Sequence, residues 1–151
     1  MNNTKIITYH FVKNPNDKLL KKIPGLDVNN FVDQIKYLKK KYSLISMEEL
    51  IYNFSIKKKM NESSVVLTFD DGYLDHFKTV FPILLDFKIK GAFYAPTSTL
   101  QQKDLLDVNK IHLILSKFVN KNKLKKEIEN FLIKEKIYNY VKKELQKTLK
   151  D

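Results

Sequence analysis

The sequence contains no cysteine, which excludes disulfides, cysteine-bound zinc knuckles and thiol nucleophiles. Any metal would have to be held by His, Asp, Glu or water, and histidine is scarce: only His10, His76 and His112 are present. Arginine is absent as well. That weighs against nucleic-acid recognition, because arginine dominates bidentate contacts to phosphates and base edges. No apolar run approaches the roughly eighteen residues that a membrane-spanning helix requires, so no membrane span is expected. The opening MNNTKIITYH lacks the basic-then-apolar order of a secretory leader. The expected location is therefore the cytoplasm.

What is present reads as one globular domain's worth of chain. There are 151 residues, 43% of them hydrophobic, enough to bury a core and too apolar for a disordered segment. The net charge is +11, spread as lysine from Lys5 to Lys150 and densest on helical stretches. We read that lysine as a solvated surface. A basic protein binding nucleic acid or an anionic membrane is the weaker alternative, and no nucleic-acid partner is expected.

Lys5–Phe11 (KIITYHF) is β-branched and aromatic and predicts a first strand. Lys13–Gly25 carries Asn-Pro and Pro-Gly punctuation and reads as a loop. Asp27 is an expected helix N-cap, with Val28, Phe31, Ile35 and Leu38 following at helical spacing. Tyr42–Ser46 predicts a short strand, and Ser46 followed by Glu49 predicts a capped helix from Met47 to about Phe54. Lys57–Ser64 is a charged connector. Val65–Phe69 is a continuous apolar run, the pattern of a strand covered on both faces. Asp75–Phe87 predicts an amphipathic helix with Phe77, Val80, Phe81, Leu84 and Leu85 inward, and His76 partly exposed. Gly91–Pro96 predicts another buried strand, with Tyr94 in the core. Leu105–Phe118 and Lys123–Leu149 are helical by period; the lysine-rich helices after Leu124 read as solvent-facing amphipathic helices, or else as helices whose apolar faces cover an open sheet edge or mediate self-association. The alternation argues an α/β domain with parallel strands in the first two-thirds and a helical C-terminal third.

The chemistry gathers where the strands end, which is where parallel α/β sheets carry their ligand groups. The central strand runs into Asp70-Asp71-Gly72. Adjacent carboxylates repel each other and cost desolvation, an arrangement that makes sense if a divalent cation neutralises one while the other handles protons. Gly72 permits a tight turn or a close backbone approach. Tyr9-His10 ends the first strand, and Tyr73 follows the glycine.

Thr68-Phe69-Asp70-Asp71-Gly72-Tyr73 resembles the first motif of the NodB-like polysaccharide deacetylases, carbohydrate esterase family 4. The order around it is similar to one branch of that family: Tyr9-His10 after the first strand, a Phe-x-x-Gln-x-x-Tyr-Leu helix from Phe31 to Leu38, the VVLTFDDGY strand, Phe81-Pro82, and the strand Gly91–Thr97. The resemblance runs over most of Lys5–Phe118. It implies a partial distorted (β/α) barrel that removes N-acetyl groups from amino sugars of a glycan or glycan precursor. It also implies a divalent metal, usually zinc, with Asp70 as general base and Asp71 as a metal ligand. His112 is the nearest counterpart of a histidine ligand, while His10 and Tyr73 are candidates for contacting the acetylated amino-sugar glycan.

The chain departs from the family in lacking a His-x-x-x-His pair. Proteins of this branch are similar here but carry a second histidine where Asn109 stands. The later catalytic motifs are also missing, so the chain is expected to be truncated, with a C-terminal half absent. The expected organisation is residues 1–118 as the N-terminal part of a deacetylase-like domain and 119–151 as a lysine-rich helical extension. The alternative to metal-dependent deacetylation is a catalytically degenerate binding or regulatory module of the same fold.

Overall fold

The computed structural model describes residues 4–14, 23–59, 63–102, 105–118 and 120–148. Parts of the expected loop Lys13–Gly25 and of the connector Lys57–Ser64, together with Val119 and Leu149, lie outside the described residues. The chain divides into two compact units, Met1–Leu106 and Asp107–Asp151.

The first unit is built around one strand. β5 (Ser64–Asp70) has six consecutive buried residues, Ser64 to Phe69. The run is apolar on both sides because both faces are covered. β1 (Lys5–Tyr9) pairs with β5 along one edge, from Lys5 opposite Val65 to Tyr9 opposite Phe69. The other edge is shared. β4 (Ser43–Leu44) pairs with the start of β5 and β6 (Gly91–Tyr94) with its end, from Leu67 opposite Gly91 to Asp70 opposite Tyr94. Every pairing is parallel, and the described strands do not close into a barrel. A separate pair, β2 (Val12–Lys13) with β3 (Leu26–Asp27), flanks the segment that reads as a loop. Each strand of that pair is two residues long, too short for a periodic signal.

Local chemistry sets the helix boundaries. α1 (Val28–Lys41) starts where the Asp27 carboxylate accepts the Asn29 N–H at 2.8 Å, and α2 (Met47–Ser55) where the Ser46 hydroxyl accepts the Glu49 N–H at 3.1 Å. Each cap satisfies an amide that has no partner inside its helix. α1 buries Phe31, Ile35 and Leu38 against β1 and β5, where they meet Tyr9, Leu67 and Phe69. Phe31, Phe69 and Tyr9 form an aromatic centre with ring separations of 5.1–6.1 Å.

The segment after Tyr73 corrects the amphipathic expectation. It winds through a π-helical turn, His76–Val80, before α3 (Phe81–Asp86). One extra residue in the turn rotates the faces, so His76, Val80 and Leu84 point inward. Phe77, Phe81 and Leu85, expected inside, are exposed. β6 differs too: Phe93 and Tyr94 are 42% and 49% exposed, so Tyr94 is not a core residue. This strand pairs on one side only, with β5, among the described residues. α4 (Thr97–Gln102) follows it.

Scarcity of glycine shows at the helix ends. The chain has three glycines, and lysines take the left-handed positions: Lys57 after α2, Lys88 after α3 and Lys136 in the second unit. At Lys88 the amides of Lys88 and Ile89 donate back to the carbonyls of Leu85 and Leu84, both at 2.9 Å, closing the orphan groups of the last turn.

The second unit consists of α5 (Asp107–Lys117), α6 (Lys121–Lys134) and α7 (Tyr138–Thr148). The Asn120 side chain caps α6 by accepting from the amides of Asn122 and Lys123.

Candidate active site at the end of the central strand

The paired carboxylates stand where β5 stops. Asp70 is the last residue of the strand, half-buried and in register with Tyr94. Asp71 and Gly72 then both enter the left-handed region, at φ 75° and 62°. Aspartate tolerates this conformation better than most residues, yet a non-glycine residue held there is uncommon and marks a place where the fold imposes a geometry. The reason for glycine at 72 is tangible. A Cβ there would come 2.8 Å from the Cβ of Ala95, just past β6. The turn therefore seats directly on the end of the neighbouring strand.

Just behind the turn, two successive side chains reach across the sequence to the end of β1. The Asp75 carboxylate accepts the Val12 N–H at 2.9 Å. His76 Nε2 donates to the His10 carbonyl, which fixes the hydrogen on that ring nitrogen because a carbonyl can only accept. Together they clamp the segment His10–Val12 to the helix that follows the carboxylate turn. Burial pushes the Asp75 carboxyl above its ordinary value, opposed by the Val12 amide and by His76. Neither partner has a sequence signature, since each is a backbone group more than sixty residues away. The sequence signal for Asp75 was only a helix start.

His76, expected to be partly exposed, is 4% exposed. It packs among the rings of Phe69, Tyr73 and Phe93 at 5.7–5.9 Å, and its Nδ1 is buried with no hydrogen-bond partner among the described residues. It is the first residue of the π-helical turn. A cavity of about 240 Å³ opens beside it, walled by Gly72, Tyr73, Phe77, Phe81, Phe93 and Ala95.

Tyr73 is half-buried and its ring lies 5.3 Å from that of Phe11. The His10 side chain is exposed while its carbonyl is held by His76. His112 is half-buried on α5, in the second unit. Among the described residues no three His, Asp or Glu side chains form a group able to hold a metal ion. Two carboxylates without a converging imidazole do not complete a tetrahedral zinc site.

A parallel α/β sheet with a carboxylate pair on a strained turn at the end of its central strand defines a NodB-like domain. The family model for polysaccharide deacetylase matches residues 57–131. YxkH of Bacillus subtilis (strain 168), described as a polysaccharide deacetylase, is 27% identical over 90 residues, 59% of this chain and 30% of that protein. A de-N-acetylase from Aggregatibacter actinomycetemcomitans superposes with a TM-score of 0.57 at 25% identity, over 68% of this chain and 42% of that one. The Streptococcus pyogenes deacetylase PplD, solved in complex with acetate, shares the fold with a TM-score of 0.54 at 22% identity, over 66% and 45% of the two chains. The chain belongs to the polysaccharide deacetylase family. It spans less than half the length of each of these relatives.

Proposed function

We propose that this chain serves hydrolysis of N-acetyl groups on the amino sugars of a glycan or glycan precursor, in the cytoplasm. The observation that carries the reading is the Asp70-Asp71-Gly72 turn, two carboxylates held at the open end of β5 with Asp71 at φ 75°. In this reading Asp70 accepts the proton of the attacking water as general base. Asp71, displayed by the left-handed turn, offers a ligand to a divalent metal, with zinc the expected ion. A complete site needs imidazole donors beyond those the described residues bring together. Tyr73 and His10 line the approach of the sugar.

The missing His-x-x-x-His pair and the absence of a three-donor group among the described residues favour a second reading, a binding module that keeps the fold without turnover. One experiment separates them. The full chain is incubated with N-acetylglucosamine oligomers, and released acetate, bound zinc and sugar affinity are measured together. Acetate release that disappears in Asp70→Asn supports the hydrolase. Sugar binding without acetate or metal supports the binding module. Unchanged zinc content in Asp71→Ala would remove Asp71 as a ligand.

A further inference from the structure

The second unit leaves its apolar surface largely open. Its three helices each carry an apolar face, yet among its described residues only Leu124 is buried. Between the helices runs a groove of about 500 Å³ whose walls include Leu115, Leu124, Ile128, Leu132, Val141 and Leu145. Ile128 and Leu145 are 49% and 58% exposed along it. Lys121, Lys125 and Lys142 stand at its rim against one carboxylate, Glu129, which lies 3.9 Å from Lys125. The unit carries twelve lysines against six acidic residues, a net charge of +6.

We propose that this groove accepts acyl chains of an anionic lipid, seating the unit on the surface of an anionic bilayer. An apolar trough edged by cations is complementary to a lipid that joins a hydrocarbon chain to a phosphate. A second copy of the chain fits poorly, because two rims of the same sign would face each other. A protein partner fits less well than lipid, since protein interfaces are enriched in arginine and tryptophan and depleted in lysine. This chain has neither arginine nor tryptophan. Lysine is a hydrated point charge that suits a diffuse anionic surface better than a fixed carboxylate fork. No helix of the described residues is long and apolar enough to cross a membrane, so the contact is peripheral. Composition alone casts the lysines as a solvated surface, yet three of them share one edge of this groove.

The test uses the full chain with vesicles of phosphatidylcholine alone and of equimolar phosphatidylcholine and phosphatidylglycerol. Binding is expected on the anionic vesicles only and should weaken as salt rises. The triple variant Lys121→Glu, Lys125→Glu, Lys142→Glu should lower affinity on the order of a hundredfold, since each lysine near such a surface contributes about fivefold. Circular dichroism verifies that the variant keeps its helices. Lipids spin-labelled on the acyl chain, in nanodiscs of the same composition, should broaden the methyl signals of Ile128, Val141 and Leu145 and spare those of Val65 and Leu67 in β5. Absence of binding to anionic vesicles at low salt overturns the proposal. So does binding that survives in the folded triple variant, or binding without broadening at the groove, which would mean headgroup adsorption alone.

Discussion

Replacing Asp75 isolates the clamp that joins the carboxylate turn to the end of β1. Its carboxylate accepts the Val12 N–H at 2.9 Å, and Val12 is 0% exposed. In Asp75→Ala that amide loses its acceptor inside the protein, at a cost of about 1–3 kcal/mol. Asp75→Asn keeps a carbonyl oxygen in place and removes the charge that burial disfavours, so it should be near neutral or stabilising at pH 7. The two variants also separate through pH. The folded carboxyl holds its proton more tightly than the ordinary value of 3.8. Its contribution to stability is therefore full below that value and is lost as pH rises through the raised one. Asparagine does not titrate, so Asp75→Asn should gain on the wild type as pH climbs from about 4 to 7. Urea unfolding across that range measures the gain, and amide exchange at Val12 gives a local reading. In Asp75→Ala that exchange should accelerate about 5- to 150-fold, the same 1–3 kcal/mol expressed as a rate. Equal destabilisation by Asn and Ala, or an offset between Asn and wild type that ignores pH, would refute the reasoning.

Gly72→Ala must place a Cβ 2.8 Å from that of Ala95 and hold φ at 62°; thermal denaturation should show a loss of about 1–3 kcal/mol. Phe69→Ala empties the centre shared with Tyr9, Phe31 and Phe93 and should cost about 3–5 kcal/mol in urea unfolding. Ser46→Ala removes the acceptor for the Glu49 amide, with an expected loss of about 1 kcal/mol and fraying of α2 visible in amide exchange. Lys88→Gly relieves a left-handed lysine at φ 56° and should raise the melting temperature, by about 1 kcal/mol in stability.

Much of the site's frame was legible from local pattern. The apolar run ending in Asp70-Asp71-Gly72 is a covered central strand ending in a tight turn, and Asp27 and Ser46 cap the helices they were expected to cap. Two expectations failed at the same place and for the same reason. A regular helical period leaves His76 partly exposed and puts Phe77, Phe81 and Leu85 inside. Through the π-helical turn His76–Val80 the buried line is narrower than that period implies: Val80 and Leu84 are buried as expected, His76 joins them, and Phe77, Phe81 and Leu85 face outward. Tyr94 was read as core because its strand is apolar, but apolar composition does not reveal which strand lies at the edge.

The sequence by itself therefore determined where the carboxylate pair sits and which family it belongs to. Strand runs, caps and the Asp-Asp-Gly turn depend on residues within a few positions of one another. Only the tertiary structure decided what stands around that pair. The bonds from Asp75 to Val12 and from His76 to His10 join residues 63 and 66 apart. They end on backbone groups, and every residue but proline carries the same backbone amide. No letter in the sequence distinguishes the amide or carbonyl that will be captured, and it is the parallel pairing of β1 with β5 that brings them within reach.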